Sequence, residues 1–215
     1  MKRKIKVDLC LSIAFLLLFV IWTMLVCFID VKNIGPNGSK VGLSSLNSFV
    51  KEHIGVNFLL YEITDWLGLV PILFVFSFAF IGLIQLIKRK SILKVDKNLI
   101  VLGVFYVCVF FIYVFFEKVV VNFRPVLING YLEPSYPSST TILSAFIMPT
   151  ALMQLKERIK SNLFKKSITY AIILFILAMI IGRIASGVHW ISDVVGGVNV
   201  SLGLVFTYRY VIKII

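Results

Sequence analysis

The sequence predicts an all-α, polytopic membrane fold: six transmembrane helices forming one domain over residues 1–215, with an interfacial helix in the first extracytoplasmic loop. Three observations carry this. The chain is 60% hydrophobic with a mean hydropathy of +1.00, and a soluble domain of that composition would expose too much apolar surface. Apolar runs long enough to cross a bilayer recur along its whole length. Those runs are continuous rather than alternating, which selects helices over a closed barrel as the way to satisfy backbone polar groups in lipid.

The spans are read as Leu9–Ile29, Leu69–Ile87, Leu99–Phe116, Thr140–Leu155, Ile168–Ile181 and Trp190–Val211. The N-terminal Met-Lys-Arg-Lys-Ile-Lys resembles a secretory signal, but the apolar run behind it is too long and no small-x-small cleavage site follows. It reads as a retained first span. The loop from Val31 to Trp66 opens with turn chemistry at Asn33-Ile-Gly-Pro-Asn-Gly. Leu43, Leu46, Val50 and Ile54 then recur at helical spacing, which predicts a short helix lying in the interface. Trp66 reads as a headgroup-level anchor. The fourth span is short and carries Pro149 and Gln154, and the sixth holds several glycines with Asn199 and Ser201. Spans four to six are therefore expected to face protein or a cavity rather than lipid. Cys10, Cys27 and Cys108 fall inside spans as small core hydrophobes, with no disulfide framework. No Cys/His cluster has metal-ligand spacing, so neither a metal nor another cofactor is expected.

Charge sets the orientation. With the N-terminus inside, 16 of the 22 basic residues fall on cytoplasmic segments, which places both termini inside. The net charge of +12 then needs no nucleic acid; the basic loops face anionic lipid headgroups. Six basic residues remain outside: Lys32, Lys40, Lys51, Lys118, Arg124 and Arg183. Lys118, Arg124 and Arg183 flank the ends of spans three and five and oppose the trend, as an anion site would; the alternative is side chains snorkelling at an interface. Lys in excess of Arg, with abundant Ile and Phe, points to a low-GC bacterium and so to its plasma membrane.

The chemistry concentrates in Gly-Arg-Ile-Ala-Ser-Gly-Val-His-Trp-Ile-Ser-Asp, which spaces Arg183, His189 and Asp193 as R-x5-H-x3-D. His189 and Asp193 share a helix face. The carboxylate can orient one ring nitrogen and leave the other to attack phosphorus. Arg124 and Arg183 offer planar forks for phosphate oxygens, with Lys118 as a third charge. Ser138, Ser139 and Thr140 open the fourth span, where Ser138 or Ser139 is placed as an N-cap. The helix start there directs free N–H groups and a positive dipole end toward the same phosphate; plain capping is the alternative.

These residues resemble the type 2 phosphatidic acid phosphatase superfamily, whose pattern runs K-x6-R-P, P-S-G-H and S-R-x5-H-x3-D. The resemblance implies that His189 takes the phosphoryl group, Asp193 supports it, Arg124 and Arg183 bind phosphate, and no metal takes part. Three positions depart from the pattern. Lys118 is separated from Arg124 by five residues instead of six, with Glu117 in the expected place; Gly182 replaces a Ser; and Thr140 stands where the family has the His that protonates the leaving group. General acid catalysis contributes roughly 10²–10⁴-fold, and its loss weighs least when the leaving group is itself a phosphate.

The expectation is therefore a lipid phosphatase acting on a lipid phosphate or diphosphate. The favoured substrate is a polyprenyl diphosphate, cleaved on the extracytoplasmic face in recycling of a cell-wall carrier. Glu133, Tyr136 and His53 are candidate substitute acids. Two other readings stand beside it: a phosphotransferase using the same phosphohistidine, and a non-catalytic lipid-phosphate binder. A transporter is disfavoured, because spans one to three hold no ionisable residue near mid-membrane.

Overall fold

A computed structural model of the chain describes residues 2–215. It is 77% helix, with no strand among the described residues. The helices are α1 (Lys2–Phe28), α2 (Ser44–Ile54), α3 (Phe58–Leu67), α4 (Leu69–Arg89), α5 (Lys97–Lys118), α6 (Ser139–Ile142), α7 (Met148–Arg158), α8 (Asn162–Ala185) and α9 (Ile191–Ile214). Five apolar stretches among these are long enough to cross a bilayer: Arg3–Phe28, Phe58–Arg89, Lys97–Lys118, Asn162–Ala185 and Ile191–Ile214. The protein is a multi-pass membrane protein.

The fourth expected span differs. It forms as α6, one π-helical segment at Leu143–Ile147, and α7. Pro149 explains the widening: it has no N–H for the carbonyl four residues back, and its ring crowds that carbonyl, so the preceding turn loosens. This interrupted helix is well enclosed, with Phe146, Thr150, Ala151 and Gln154 all buried. It is too broken and too polar to stand among the five spans.

The second span also differs. It is preceded by α3, which the sequence reading assigned to loop; only Gly68, itself in helical conformation, separates α3 from α4.

The centre of the bundle is α9, 61% of whose apolar window is buried. It packs antiparallel to α1, and Gly203 allows the close approach: a Cβ there would lie 2.7 Å from a Leu16 methyl. Ser12 and Thr207 bridge the pair at 2.6 Å. At the end holding the termini, buried Asp8 pairs with Arg209 at 3.3 Å and with Lys213. The expectation that span five faces inward is corrected. Only 22% of the α8 window is buried, and Tyr170, Leu174, Leu177 and Ile181 point outward. Gly and polar residues in α9 mark helix contact; α8 has an ordinary aliphatic surface. Cys10 and Cys108 are likewise exposed on outward faces, not core residues, and Cys27 is half-buried.

The short helix of the first loop forms where its spacing predicts, as α2. Its buried face is polar, carrying Ser44 and Asn47, while Leu46, Phe49 and Ile54 face out.

Candidate active site

The site lies at the end of the bundle opposite the termini, where the α8–α9 turn meets the loop after α5 and the start of α6. Gly187 shapes the turn. Its φ is +66°, and a Cβ would fall 1.9 Å from the Gly55 carbonyl, so only glycine fits against the α2–α3 linker. The turn delivers His189 directly before α9 and Asp193 into its first turn.

Arg124 Nη1 lies 3.1 Å from His189 Nε2. A guanidinium only donates, so Nε2 is the accepting, unprotonated nitrogen and the ring proton sits on Nδ1. Nδ1 faces Asp193 Oδ2 at 3.8 Å, too far for a hydrogen bond, and is buried without another partner. Burial, then the positive charge of Arg124, pushes the His189 pKa down to about 4. The imidazole is thus neutral, with its lone pair presented to the arginine side of the cavity.

Asp193 is fully buried and held from three directions. Trp190 N donates to Oδ2 at 3.1 Å, Asn122 Nδ2 to Oδ1 at 3.1 Å, and Ser192 Oγ to Oδ1 at 3.4 Å. Asn47 holds Ser192 in turn, donating to its Oγ at 2.9 Å and accepting from its N–H at 3.2 Å. Trp190 Nε1 donates to Phe123 O at 2.7 Å, which ties the Arg124 loop to the start of α9. Lys51 of α2 donates to Pro125 O at 2.9 Å and sits 5.2 Å from the Trp190 ring; burial lowers its pKa.

Arg183 is 1% exposed. Its Nη2 donates to Asp65 Oδ1 at 2.7 Å and to Thr140 Oγ1, while Nε and Nη1 have no partner. The two guanidinium groups stack on one ring: Arg183 lies 5.1 Å and Arg124 5.7 Å from the centroid of Tyr61. Arg124 also pairs with Glu133 at 3.0 Å. Arg124, Ser139 and His189 share the wall of a small cavity with Glu117, Tyr136 and Ile142.

The structure thus brings together Arg124, Arg183, His189, Asp193, Ser139 and Thr140. Other expected residues stand elsewhere. Lys118 is exposed at the end of α5 and does not line the cavity; Glu117 does, because a one-residue shift on a helix turns the side chain by about 100°. Ser138 occupies the N-cap position of α6, but its side chain caps no N–H; its Oγ accepts from Thr141 Oγ1. Tyr136 is buried, and its hydroxyl turns to Thr23 of α1 at 2.7 Å, with a pKa raised by burial, so it is not a substitute acid. His53 is exposed, with Nδ1 against Phe49 O, away from the cavity. Asp65, Tyr61, Asn47 and Asn122 were not found by sequence reading. Asp65 stood one residue from the tryptophan read as an anchor, and the two asparagines carried no spacing signal.

Residues 117–214 match the family model of the PAP2 superfamily. The matched segment contains Arg124, Thr140, Arg183, His189 and Asp193; Asp65 and Tyr61 come from outside it. The whole fold is similar to the crystal structure of a transmembrane PAP2-type phosphatidylglycerolphosphate phosphatase from Bacillus subtilis. The TM-score is 0.67 at 17% identity, covering 95% of this chain and 97% of that one. No curated protein sequence matches this chain significantly.

Proposed function

We propose that this protein is an integral membrane lipid phosphatase that hydrolyses a lipid phosphate or diphosphate through a phosphohistidine at His189. The observation that carries the reading is the neutral imidazole whose Nε2 lone pair faces Arg124, with Asp193 behind it and two unpartnered nitrogens of Arg183 close by. Nε2 attacks phosphorus as the bond to the leaving oxygen breaks. Arg124 moves from Nε2 to the phosphoryl oxygens, and Arg183, whose Nε and Nη1 have no partner, adds further donors. The imidazolium that forms is stabilised by Asp193 once Nδ1–H closes the 3.8 Å gap.

The favoured substrate is a polyprenyl diphosphate. Thr140 supplies no proton near neutral pH, and a lipid monophosphate leaves without one far more readily than an alkoxide. An apolar cleft of about 480 Å³ between α4, α5 and α6 runs up to Asp65, Ser139 and Thr140 and suits the isoprenoid chain. In this reading the fold spans the membrane six times, with α6–α7 as the enclosed fourth span and α2 in the interface. The termini are cytoplasmic and the site opens on the extracytoplasmic face of a bacterial plasma membrane.

The test is phosphate release by the detergent-purified protein from undecaprenyl diphosphate and, in parallel, phosphatidic acid, with His189→Ala as control. Release from the diphosphate that vanishes in the variant supports the reading. Release from phosphatidic acid at a comparable rate overturns the leaving-group argument. An unchanged rate in the variant overturns the phosphohistidine.

A further inference from the structure

We propose that Asp65 is a catalytic residue: the general base that takes the proton from the water discharging phospho-His189. This rests on the phosphohistidine reading above.

Arg183 Nη2 donates to both Asp65 Oδ1 and Thr140 Oγ1. Two acceptors on one nitrogen can be no further apart than two hydrogen-bond lengths. Asp65 therefore arrives, from α3, beside the position where the resemblance places the missing histidine. Its geometry differs from that of a dedicated ion partner. A partner for a buried guanidinium would engage both oxygens; here one oxygen is used, the side chain stays 58% exposed, and Oδ2 has no partner among the described residues. Asp65 lines the lateral cleft together with Ser139 and Thr140, and Ser139 and Ile142 also line the cavity that holds His189. The two spaces adjoin.

The other acids fit less well. Asp193 is fully buried and saturated by Trp190, Asn122 and Ser192. Glu133 pairs with Arg124, and no hydrogen bond ties it to Thr140 as Arg183 ties Asp65. Glu117 lines the cavity beside Tyr113 but has no hydrogen bond to Arg183 or Thr140 among the described residues.

The chemistry divides in two. The first step needs no acid when a lipid monophosphate leaves. In the second, a water oxygen bonds to phosphorus and the P–Nε2 bond breaks, its electron pair returning to His189. The water proton passes to Asp65 Oδ2 and from there to solvent, and inorganic phosphate departs. A carboxylate with one oxygen anchored on Arg183 and the other unpartnered suits that role.

The experiment is a rapid quench of the full-length protein with undecaprenyl diphosphate labelled with ³²P on the terminal phosphate. It follows acid-labile, alkali-stable label on the protein and free phosphate, for wild type, Asp65→Asn and Glu117→Gln. Asp65→Asn is expected to label to near one phosphate per site at close to the wild-type rate while steady-state release falls about 10²-fold or more. Asp65→Ala should be partly restored by formate, an external base. Wild-type turnover in Asp65→Asn overturns the proposal. So does an equal loss of labelling and release, which would make Asp65 only a support for Arg183, and so does trapping of label by Glu117→Gln instead. Absence of both label and release in wild type sinks the phosphohistidine reading itself, a result none of the variant outcomes resembles.

Discussion

A single nitrogen decides most of the chemistry. His189 Nε2 accepts from Arg124, and burial keeps the ring neutral down to about pH 4. A histidine with a lowered folded pKa binds its proton more readily when unfolded. Its contribution to stability is therefore complete above about pH 6.5 and falls as pH drops toward 4. In a His53→Gln background, where His189 is the one remaining histidine, carbethoxylation by diethyl pyrocarbonate should fall off with a midpoint near 4. A midpoint near 6.5 would show an ordinary, solvated ring. Asp193→Asn should lower turnover by on the order of 10³–10⁴-fold while leaving lipid binding in place, since it removes the partner of the forming imidazolium. Thr140→His should raise phosphatidic acid hydrolysis by about 10²-fold or more and diphosphate hydrolysis much less. Equal gains on both substrates would count against the leaving-group argument. Arg183, His189 and Asp193 were legible because their chemistry is encoded as spacing: R-x5-H-x3-D survives any detail of the fold. Asp65 and Tyr61 were not, since the side chains they meet on Arg183 and Arg124 lie far along the chain.

At the scale of elements, helices read well wherever lipid dictates composition and poorly where protein does. Spans three and six emerged within a few residues of their expected bounds, and span one ends within one residue of its bound but begins earlier, at Lys2, because continuous apolar runs have no soluble alternative. The α6–π–α7 element was legible as a helix but not as an interrupted one; the break follows from how Pro149 is accommodated inside the bundle. α3 was lost because its polar residues, Glu62 and Asp65, resemble loop, although they sit on a helix that closes over the site. The inward turn of Asn47 on α2 could not be read either, since the apolar spacing assigns that helix an apolar inner face. The α8–α9 turn yields a sharp expectation. Gly187→Ala should lower the thermal midpoint measurably, combining about 1–2 kcal/mol for a left-handed residue with a backbone clash at Gly55. An unchanged midpoint would mean the turn relaxes freely.

For the whole molecule, α9 joins two ends of unlike character. One end carries Asp193 in its first turn; the other is fastened to α1 by Asp8, Arg209 and Lys213. Removing one partner of a buried ion cluster leaves an uncompensated charge and costs about 3–5 kcal/mol, less here because Arg209 and Lys213 keep partial solvent contact. Asp8→Ala should therefore reduce thermal stability in detergent, and at temperatures where the variant is folded its turnover should match wild type. A loss of turnover in the folded variant would mean that the two ends are coupled. The cleft between α4 and α5 has a further consequence. Phe76 and Phe110 on its walls are themselves outward-facing, so it is open along its length toward the hydrocarbon. A substrate entering there never dissolves in water. The concentration such an enzyme experiences is a surface density, and its velocity should follow the mole fraction of substrate in the micelle or bilayer. Diluting the lipid with inert detergent at constant bulk substrate should slow the reaction; adding buffer should not.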